Sequence, residues 1–454
     1  MADQQSLIAT PRDLPRTIGF WGGIAVMMGV IIGNGIFAQP TVIAKYLSDP
    51  WLVLAFWTVG GAIALCGALT FAELIAMFPN SGGIYVFIRE GYGRSFAFVF
   101  GWTYLLIVKP SAAAGIAVFL GTNVNRLFGV DWNVQLQTVV VLLVLTLVNV
   151  LGTKLGTGVA MLLTSVKFGA LALIVVLALV MGKGHAANFE ALPATTSLWT
   201  AIVPVMAAIM WTYDGWSDVG AIAGEIKNPQ KTLPRIFLIG TVAITALYLA
   251  VNAVYLWMIP LQEQAKAETL ATSVIEMLLG PKGAAAVTAL VVISVLGSTQ
   301  SSIMTGARVT YQQSRDGLLF AWLGTVHPRF QTPSVGLWLQ CALSCAAVLI
   351  LESFEKLTGT FTFTMWIFYG LAGSVIFILR IERSDLPRPF RCVGYPVVPA
   401  IFVASAIFMT VLSIKVNPTG TLPWIGVLAA GFPVYWMWNR VVQKKYLQKQ
   451  SDPR

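Results

Sequence analysis

The chain has 454 residues, of which 57% are hydrophobic and only 11% charged, and its mean hydropathy is +0.77. A soluble protein carries roughly 25% charged residues, so this composition excludes a soluble fold and indicates one all-α membrane domain. The net charge of +10 is explained by basic loops on one side of a membrane, so it gives no reason to expect nucleic acid as a partner.

The apolar segments predict a polytopic protein with about twelve transmembrane helices, because a bilayer core needs roughly 20 apolar residues per helix. The polar N-terminus lacks the apolar stretch of a cleavable signal peptide, so we expect the first span to be retained. The predicted organisation is a cytoplasmic tail at 1–17, a first five-helix repeat at 18–182, an inverted second repeat at 199–380, two accessory helices at 396–439 and a basic cytoplasmic tail at 440–454.

Hydropathy places the individual spans between polar or Gly- and Pro-containing connections. They lie near 18–45, 51–78, 96–120, 134–151, 159–182, 199–223, 234–259, 285–313, 333–351, 357–380, 396–415 and 421–439. The segment 262–280 is too charged to span a bilayer, and its amphipathic pattern predicts an external helical loop.

The 29 basic residues are distributed unevenly between the predicted loops. Most of them fall on the side of the N-terminus, so the positive-inside rule predicts a multi-pass protein of the cell membrane with both termini in the cytoplasm. The cysteines have no metal-ligand spacing and lie in apolar segments or in a predicted inside loop, so we expect no disulfide, metal or cofactor. They are Cys66, Cys341, Cys345 and Cys392.

Two predicted spans contain residues that interrupt a helix: the first at 33–35 (Gly-Asn-Gly) and the sixth at 214–215 (Asp-Gly). The five-span offset places these breaks in segments of opposite direction, as expected of an inverted five-plus-five repeat with its binding site at the paired breaks. A helix beginning near Ile36 would point its positive end at a carboxylate. Carbonyls freed at Ile31, Ile32 and 210–213 suit an ammonium group. The alternative is a helix crossing mediated by small residues.

Ionisable and aromatic side chains lie beside these breaks. Asp214 lies at the centre of a predicted span, where an ionisable residue indicates a functional site. It is equally consistent with a local cap for the unwound backbone. Trp211, Trp216 and Trp366 are candidate walls of the site, with packing as the alternative. Lys167 cannot reach either surface and therefore needs a buried acceptor. We expect this acceptor among carbonyls of the first span or the hydroxyls of Ser298, Thr299, Ser301 and Ser302, with a structural ion pair as the alternative. Lys109 and Glu73 are interpreted as internal bracing.

Several motifs resemble the amino acid–polyamine–organocation superfamily. The segment GVIIGNGIF is similar to its first-span signature, and WTYDGWSDVGAIAGEIKNPQKTLPRIFLIG is similar to the sixth span and following loop of the L-type amino acid transporter branch. Further similarities are FAELIAMFPNSGGIYVFIREGYG, KPSAAA and ARVTYQQSRDGLLF. Together these motifs cover about residues 18–395 in the same order.

The resemblance implies a LeuT-type fold and sodium-independent exchange or facilitated transport of amino acids by alternating access. It implies that residues 33–36 meet the substrate carboxylate, that Ile31 and Trp211 meet the amine, and that Lys167 lies near an absent sodium site. Asn34 departs from the family's usual small residue, which leaves the substrate preference open. The candidate substrate-binding residues are Ile31, Ile32, Gly33, Asn34, Gly35, Ile36, Ala112, Trp211, Tyr213, Asp214 and Trp366, and the candidate sodium-site substitutes are Lys167, Ser298 and Ser301.

The leading hypothesis is an exchanger or facilitator of neutral amino acids. Asp214 leaves open a carrier of cationic amino acids or polyamines, with or without proton coupling, and a non-transporting nutrient sensor would share the same motifs. The two histidines fall in loops on opposite predicted faces and no catalytic constellation is present, so an enzyme is not expected. Animal members carry a loop cysteine that binds an ancillary glycoprotein. The matching loop, GTNVNRLFGVDW, has none, so we expect a stand-alone carrier, prokaryotic in origin.

Overall fold

The computed structural model describes residues 14–191, 193, 197–267, 269–351, 354–416 and 418–451. Residues 1–13 of the predicted N-terminal tail and 452–454 of the C-terminal tail therefore lie outside the described residues. The described chain is helical, with one isolated backbone bridge between Ile18 and Ile226. The α-helices are α1 Phe20–Ile31, α2 Gly35–Ala44, α3 Pro50–Met77, α4 Ile84–Thr103, α5 Lys109–Phe128, α6 Val134–Val150, α7 Thr153–Met181, α8 Leu198–Tyr213, α9 Pro229–Met258, α10 Leu261–Gln264, α11 Leu270–Leu279, α12 Pro281–Arg315, α13 Ser334–Leu351, α14 Phe354–Glu382, α15 Val397–Val416 and α16 Pro418–Ser451.

Eight helical segments in the described part of the chain are long and apolar enough to cross a membrane. They are Phe20–Ala44, Pro50–Met77, Ile84–Phe128, Thr153–Met181, Pro229–Met258, Pro281–Arg315, Phe363–Glu382 and Val397–Val416. Shorter apolar helices at Val134–Val150 and Ser334–Ile350 coincide with the predicted fourth and ninth spans. The protein is therefore a polytopic helical membrane protein.

The third predicted span differs most from the structure. Hydropathy placed it at 96–120, whereas the helical segment is Ile84–Phe128, with a π-helical stretch at Tyr104–Val108. Arg89 and Arg94 lower the hydropathy of its first turns, and Gly93 has non-helical backbone angles. Helical structure therefore begins well before the apolar part of the sequence. The predicted helical loop at 262–280 contains α10 and α11, and α11 buries its apolar face.

The structure confirms both predicted helix breaks. Residues 32–34 separate α1 from α2. After α8, Asp214 is extended, and Gly215 has φ of +104°, in a left-handed conformation that a side chain disfavours. A 3₁₀ helix, Trp216–Glu225, then continues the chain. The sixth predicted span thus consists of an α-helix and a 3₁₀ helix joined at the Asp-Gly break.

The two breaks touch each other. A Cβ atom on Gly35 would lie 2.9 Å from Cα of Thr212, and one on Gly215 would lie 2.4 Å from Cγ1 of Val30. Each glycine therefore allows one broken segment to approach the backbone or side chains of the other. Because this contact is reciprocal, the breaks form a single irregular region inside the helical bundle.

An aromatic cluster supports the second break from the side of α3, α14 and α15. The ring of Trp216 stacks on Tyr369 with centroids 5.5 Å apart and meets Phe71 edge-on at 5.0 Å. Phe402 packs against both Trp216 and Phe71. Trp216 is only 3% exposed, so the packing interpretation of this tryptophan is the correct one.

Candidate functional site

A small cavity lies where the breaks meet α5 and α12, with a volume of about 30 Å³. A cavity of this size has room for about two water molecules. It is lined by Val30, Ile31, Gly33, Asn34, Gly35, Lys109, Ala112, Ile116, Trp211, Asp214, Asp218 and Ser302. Seven predicted site residues therefore come together here: Ile31, Gly33, Asn34, Gly35, Ala112, Trp211 and Asp214.

The start of α2, where Asn34 and Gly35 line the cavity, carries unpaired donors. Among the described residues, the backbone N–H groups of Asn34, Gly35 and Ile36 have no protein acceptor. The Asn34 side chain is 2% exposed, and its Nδ2 atom also lacks a partner within the described chain. Buried N–H groups are rarely left unpaired in proteins. Together with the positive end of the helix dipole, these donors suit an anionic group such as a carboxylate.

The carbonyls at the end of α1 differ from the sequence prediction. Ile31 O accepts hydrogen bonds from Gly33 N at 2.8 Å and from the Tyr248 hydroxyl at 2.9 Å. Ile32 O accepts from Lys167, at 2.6 Å, and from two serine hydroxyls. Both carbonyls are saturated, so the prediction that they are free for an ammonium group is wrong in this arrangement. The carbonyls of Val30 and Gly33 are the ones in this turn without a donor in the described chain.

Lys167 is 1% exposed, and its ammonium group is held by the first break. Its Nζ atom donates to Gly29 O and Ile32 O, both at 2.6 Å, and to Ser298 Oγ at 3.1 Å. This confirms the predicted acceptors on the first span and at Ser298. Ser301 differs from the prediction: its hydroxyl does not bind Lys167 and has no partner among the described residues, because it faces Gly29, where an added Cβ would lie 2.7 Å away.

Asp214 is half-buried at the cavity, and Tyr369 of α14 orients its carboxylate. The Tyr369 hydroxyl donates to Asp214 Oδ1 at 2.6 Å and lies 3.0 Å from the Ser217 hydroxyl. Asp214 forms no salt bridge within the described part of the chain. Trp211, one helical turn earlier, is half-buried and forms one wall.

Four predicted residues do not line the cavity: Ile32, Ile36, Tyr213 and Trp366. The Tyr213 hydroxyl donates to Trp57 O at 3.1 Å, which turns the ring away toward α3. Trp366 packs on Tyr369 with centroids 5.6 Å apart and so supports the site from outside it. Ile32 and Ile36 are fully buried; the Ile32 carbonyl binds Lys167, and the Ile36 N–H has no acceptor in the described chain.

Sequence reasoning missed an ion pair at the cavity. Lys109 and Asp218 both line it, and their side chains are 4% and 9% exposed. They are joined by a hydrogen-bonded salt bridge, and the Thr305 hydroxyl donates to Asp218 Oδ2 at 3.0 Å. Lys109 had been interpreted as bracing, while Asp218 had no assigned role. A charged residue inside each of two predicted spans was the available signal.

The interpretation of Glu73 as bracing is confirmed. Its carboxylate accepts two hydrogen bonds from Arg380, at 3.0 and 2.7 Å, and one from the backbone N–H of Cys392 at 2.6 Å. A second brace joins Arg308 of α12 to Glu225 at 2.8 Å, and Thr153 donates to the same carboxylate. Both braces lie outside the cavity lining.

Comparison with known proteins identifies the family. The amino acid permease family model matches residues 18–437. The serine/threonine exchanger SteT of Bacillus subtilis is 32% identical over 433 residues, which cover 94% of this chain and 97% of the relative. The human cystine/glutamate transporter is 29% identical over 449 residues (95% of this chain, 89% of the relative).

The human b(0,+)-type amino acid transporter 1 is a further relative, 29% identical over 423 residues that cover 91% of this chain and 86% of that protein. The match to the family model thus includes both helix breaks and most of the described helices. The chain belongs to the amino acid permease family, whose members are membrane transporters and not enzymes.

Proposed function

We propose that the protein is a secondary transporter that exchanges or facilitates the movement of neutral amino acids, without sodium, by alternating access. The observation that carries this proposal is the reciprocal contact of two broken helices at a cavity lined by unpaired buried polar groups. Ligand sites between discontinuous helices are a recurrent plan in secondary transporters. The names of the relatives, which include a serine/threonine exchanger, support amino acids as substrates and exchange as the mode.

The α-carboxylate of the substrate would bind the start of α2. Its two oxygens can accept from the N–H groups of residues 34–36 and from Asn34 Nδ2, which lack protein acceptors in the described chain. The α-ammonium group would bind the Val30 carbonyl and the Asp214 carboxylate across the cavity. One site then recognises both charged groups of a zwitterion, while Trp211 closes over the ligand.

Lys167 supports sodium independence. Its ammonium group donates to carbonyls of the first break and to a hydroxyl of α12, so a fixed cation already binds these oxygen atoms. A sodium ion placed here would compete with the ammonium group for the same oxygen atoms. The transport cycle would therefore need no external cation to hold α1 against α12.

The proposed topology has two inverted five-helix repeats, two accessory helices, about twelve spans and cytoplasmic termini in the cell membrane. The predicted distribution of basic loops supports the orientation. The segment 121–132, which comprises the end of α5 and the connection to α6, contains no cysteine, which supports a carrier without a disulfide-linked subunit. Cysteine labelling from either side of sealed vesicles, at Lys183→Cys and Lys227→Cys, tests the orientation because the two sites are expected on opposite faces.

A second candidate is a carrier of cationic amino acids or polyamines. Asp214 favours it, because this carboxylate lines the cavity and forms no salt bridge among the described residues. A positively charged substrate side chain would compensate it. Uptake of lysine or putrescine by the wild-type protein, abolished in Asp214→Asn, would establish this candidate over the first.

Reconstitution tests the proposal. Purified protein in liposomes preloaded with unlabelled serine, leucine and glutamine is supplied with the labelled amino acids, with sodium or with choline. We expect uptake that depends on internal amino acid and is equal in both salts. Uptake only in sodium contradicts the assigned role of Lys167, and no uptake of any neutral amino acid contradicts the proposed substrate class.

A further inference from the structure

One face of α5 forms a wall of the cavity. Lys109, Ala112 and Ile116 follow one another at intervals of three and four residues, and all three line the cavity. The two helix breaks supply the groups that suit a carboxylate and an ammonium group. The face of α5, together with Ser302 of α12, is then the surface that remains for the substrate side chain.

This face carries one charge, and that charge is compensated. The Lys109 ammonium group is bound to the Asp218 carboxylate and lies 3.3 Å from the Thr305 hydroxyl. Thr305 in turn donates to Asp218 Oδ2 at 3.0 Å. The three side chains are almost fully buried. A substrate side chain that contacts this face of α5 would therefore meet the Lys109–Asp218 ion pair, which has no net charge.

A buried ion pair such as Lys109–Asp218 is not expected to stabilise the fold strongly. Burying two charges costs desolvation free energy, and the attraction between the charges offsets only part of this cost. Replacing such a pair by apolar residues therefore often leaves the stability of a protein unchanged or increases it. The position of this pair at the cavity gives it another use. A buried unpaired charge selects strongly for a ligand of opposite charge, because leaving it uncompensated is costly.

We propose that the Lys109–Asp218 pair determines the charge selectivity of the transporter, because each residue prevents the other from binding a charged substrate side chain. Asp218 binds the ammonium group of Lys109, which would otherwise attract an acidic substrate side chain. Lys109 binds the carboxylate of Asp218, which would otherwise attract a basic substrate side chain. This inference rests on the proposed transport of amino acids and names the substrates as those with uncharged side chains.

Two reciprocal substitutions test the pair in proteoliposomes. Asp218→Asn leaves Lys109 uncompensated, and we expect glutamate to inhibit uptake of labelled glutamine at least about tenfold more strongly than in wild type. Lys109→Gln leaves Asp218 uncompensated, and we expect the same gain for inhibition by lysine relative to norleucine. The double variant Lys109→Gln/Asp218→Asn removes both charges and is the matched control, in which both gains should disappear.

Each outcome decides the inference. Thermal midpoints in detergent identify a variant that fails to fold, and the reciprocal variant then provides the measurement. If neither single variant folds, the double variant provides the measurement. Stronger inhibition of its glutamine uptake by glutamate or by lysine than in wild type overturns the inference, and unchanged weak inhibition by both amino acids supports it. A folded single variant that keeps the wild-type selectivity also overturns it. Absence of glutamine uptake by the wild-type protein contradicts the proposed function instead, so the two failures are distinguishable.

Discussion

The ammonium group of Lys167 lies 2.6 Å from the carbonyl oxygen of Ile32, the residue that directly follows the end of α1. An internal cation thus binds a backbone group that the helix break has released. This contact joins α7 to α1, and Ser298 extends it to α12. The break is therefore stabilised by a side chain that is 135 residues away in the sequence.

Replacing Lys167 is expected to destabilise the first break. Lys167→Gln removes two short hydrogen bonds and leaves Gly29 O without a donor in the described chain, whereas Ile32 O keeps its two serine donors. A buried polar group left without a partner costs about 1–3 kcal/mol. We expect a lower thermal midpoint in detergent and at least about a tenfold loss of amino acid uptake. Lys45→Gln, at an exposed lysine, is the control and should leave both unchanged. If Lys167→Gln retains wild-type midpoint and uptake, the proposed role is wrong.

Gly215 is expected to tolerate no side chain. An alanine there would place its Cβ 2.4 Å from Val30 Cγ1, and the φ of +104° is strained for any other residue. Backbone strain of this kind costs about 1–3 kcal/mol before the steric clash is added. Gly215→Ala should therefore lose transport and thermal stability together. Gly169→Ala in α7, where an added Cβ meets no atom within 4 Å, is the matched control. Equal uptake by both variants would contradict the contact between the breaks.

Asn34 is expected to contribute directly to recognition of the carboxylate. Asn34→Ala removes an unpaired buried donor, and loss of a hydrogen bond to a charged group weakens binding by about 1.5–3 kcal/mol, or roughly ten- to a hundredfold. Asn34→Asp should weaken it further by repulsion. Competition by amino acids and by their amides separates the causes: the Asn34→Ala variant should lose its preference for the free carboxylate. An unchanged preference would mean that the side chain has a structural role only.

Tyr369 is expected to act through Asp214. Tyr369→Phe removes the 2.6 Å hydrogen bond to the carboxylate while retaining the aromatic packing on Trp216. We expect substrate affinity to fall at least about tenfold, because one hydrogen bond to a charged acceptor contributes about 1.5–3 kcal/mol. Tyr92→Phe on α4, which loses a 2.7 Å contact with Ser374 of α14, is the control. Equal effects of the two variants would show that Tyr369 does not act on the site.

Local sequence signals were sufficient to predict the two breaks. Glycine beside asparagine or aspartate within an apolar segment disfavours a continuous helix, whatever the neighbouring helices are. The carbonyls at residues 31–32 were assigned wrongly for the opposite reason. Their donors, Tyr248 and Lys167, are distant in sequence, and only the folded chain determines which acceptor each donor reaches.

The Lys109–Asp218 pair could not be predicted for a related reason. The partners are 109 residues apart in the chain, and each lies in an apolar segment where an isolated charge indicates a functional or structural need but no particular partner. The early start of α4 was missed because hydropathy detects apolar surface, whereas Arg89 and Arg94 are helical residues with polar side chains.

The cavity between the two helix breaks is smaller than an amino acid. Its volume of about 30 Å³ holds only about two water molecules, so the broken segments must move apart before an amino acid fits between them. Entry of a ligand would therefore have to undo the close approach of the two breaks at Gly35 and Gly215.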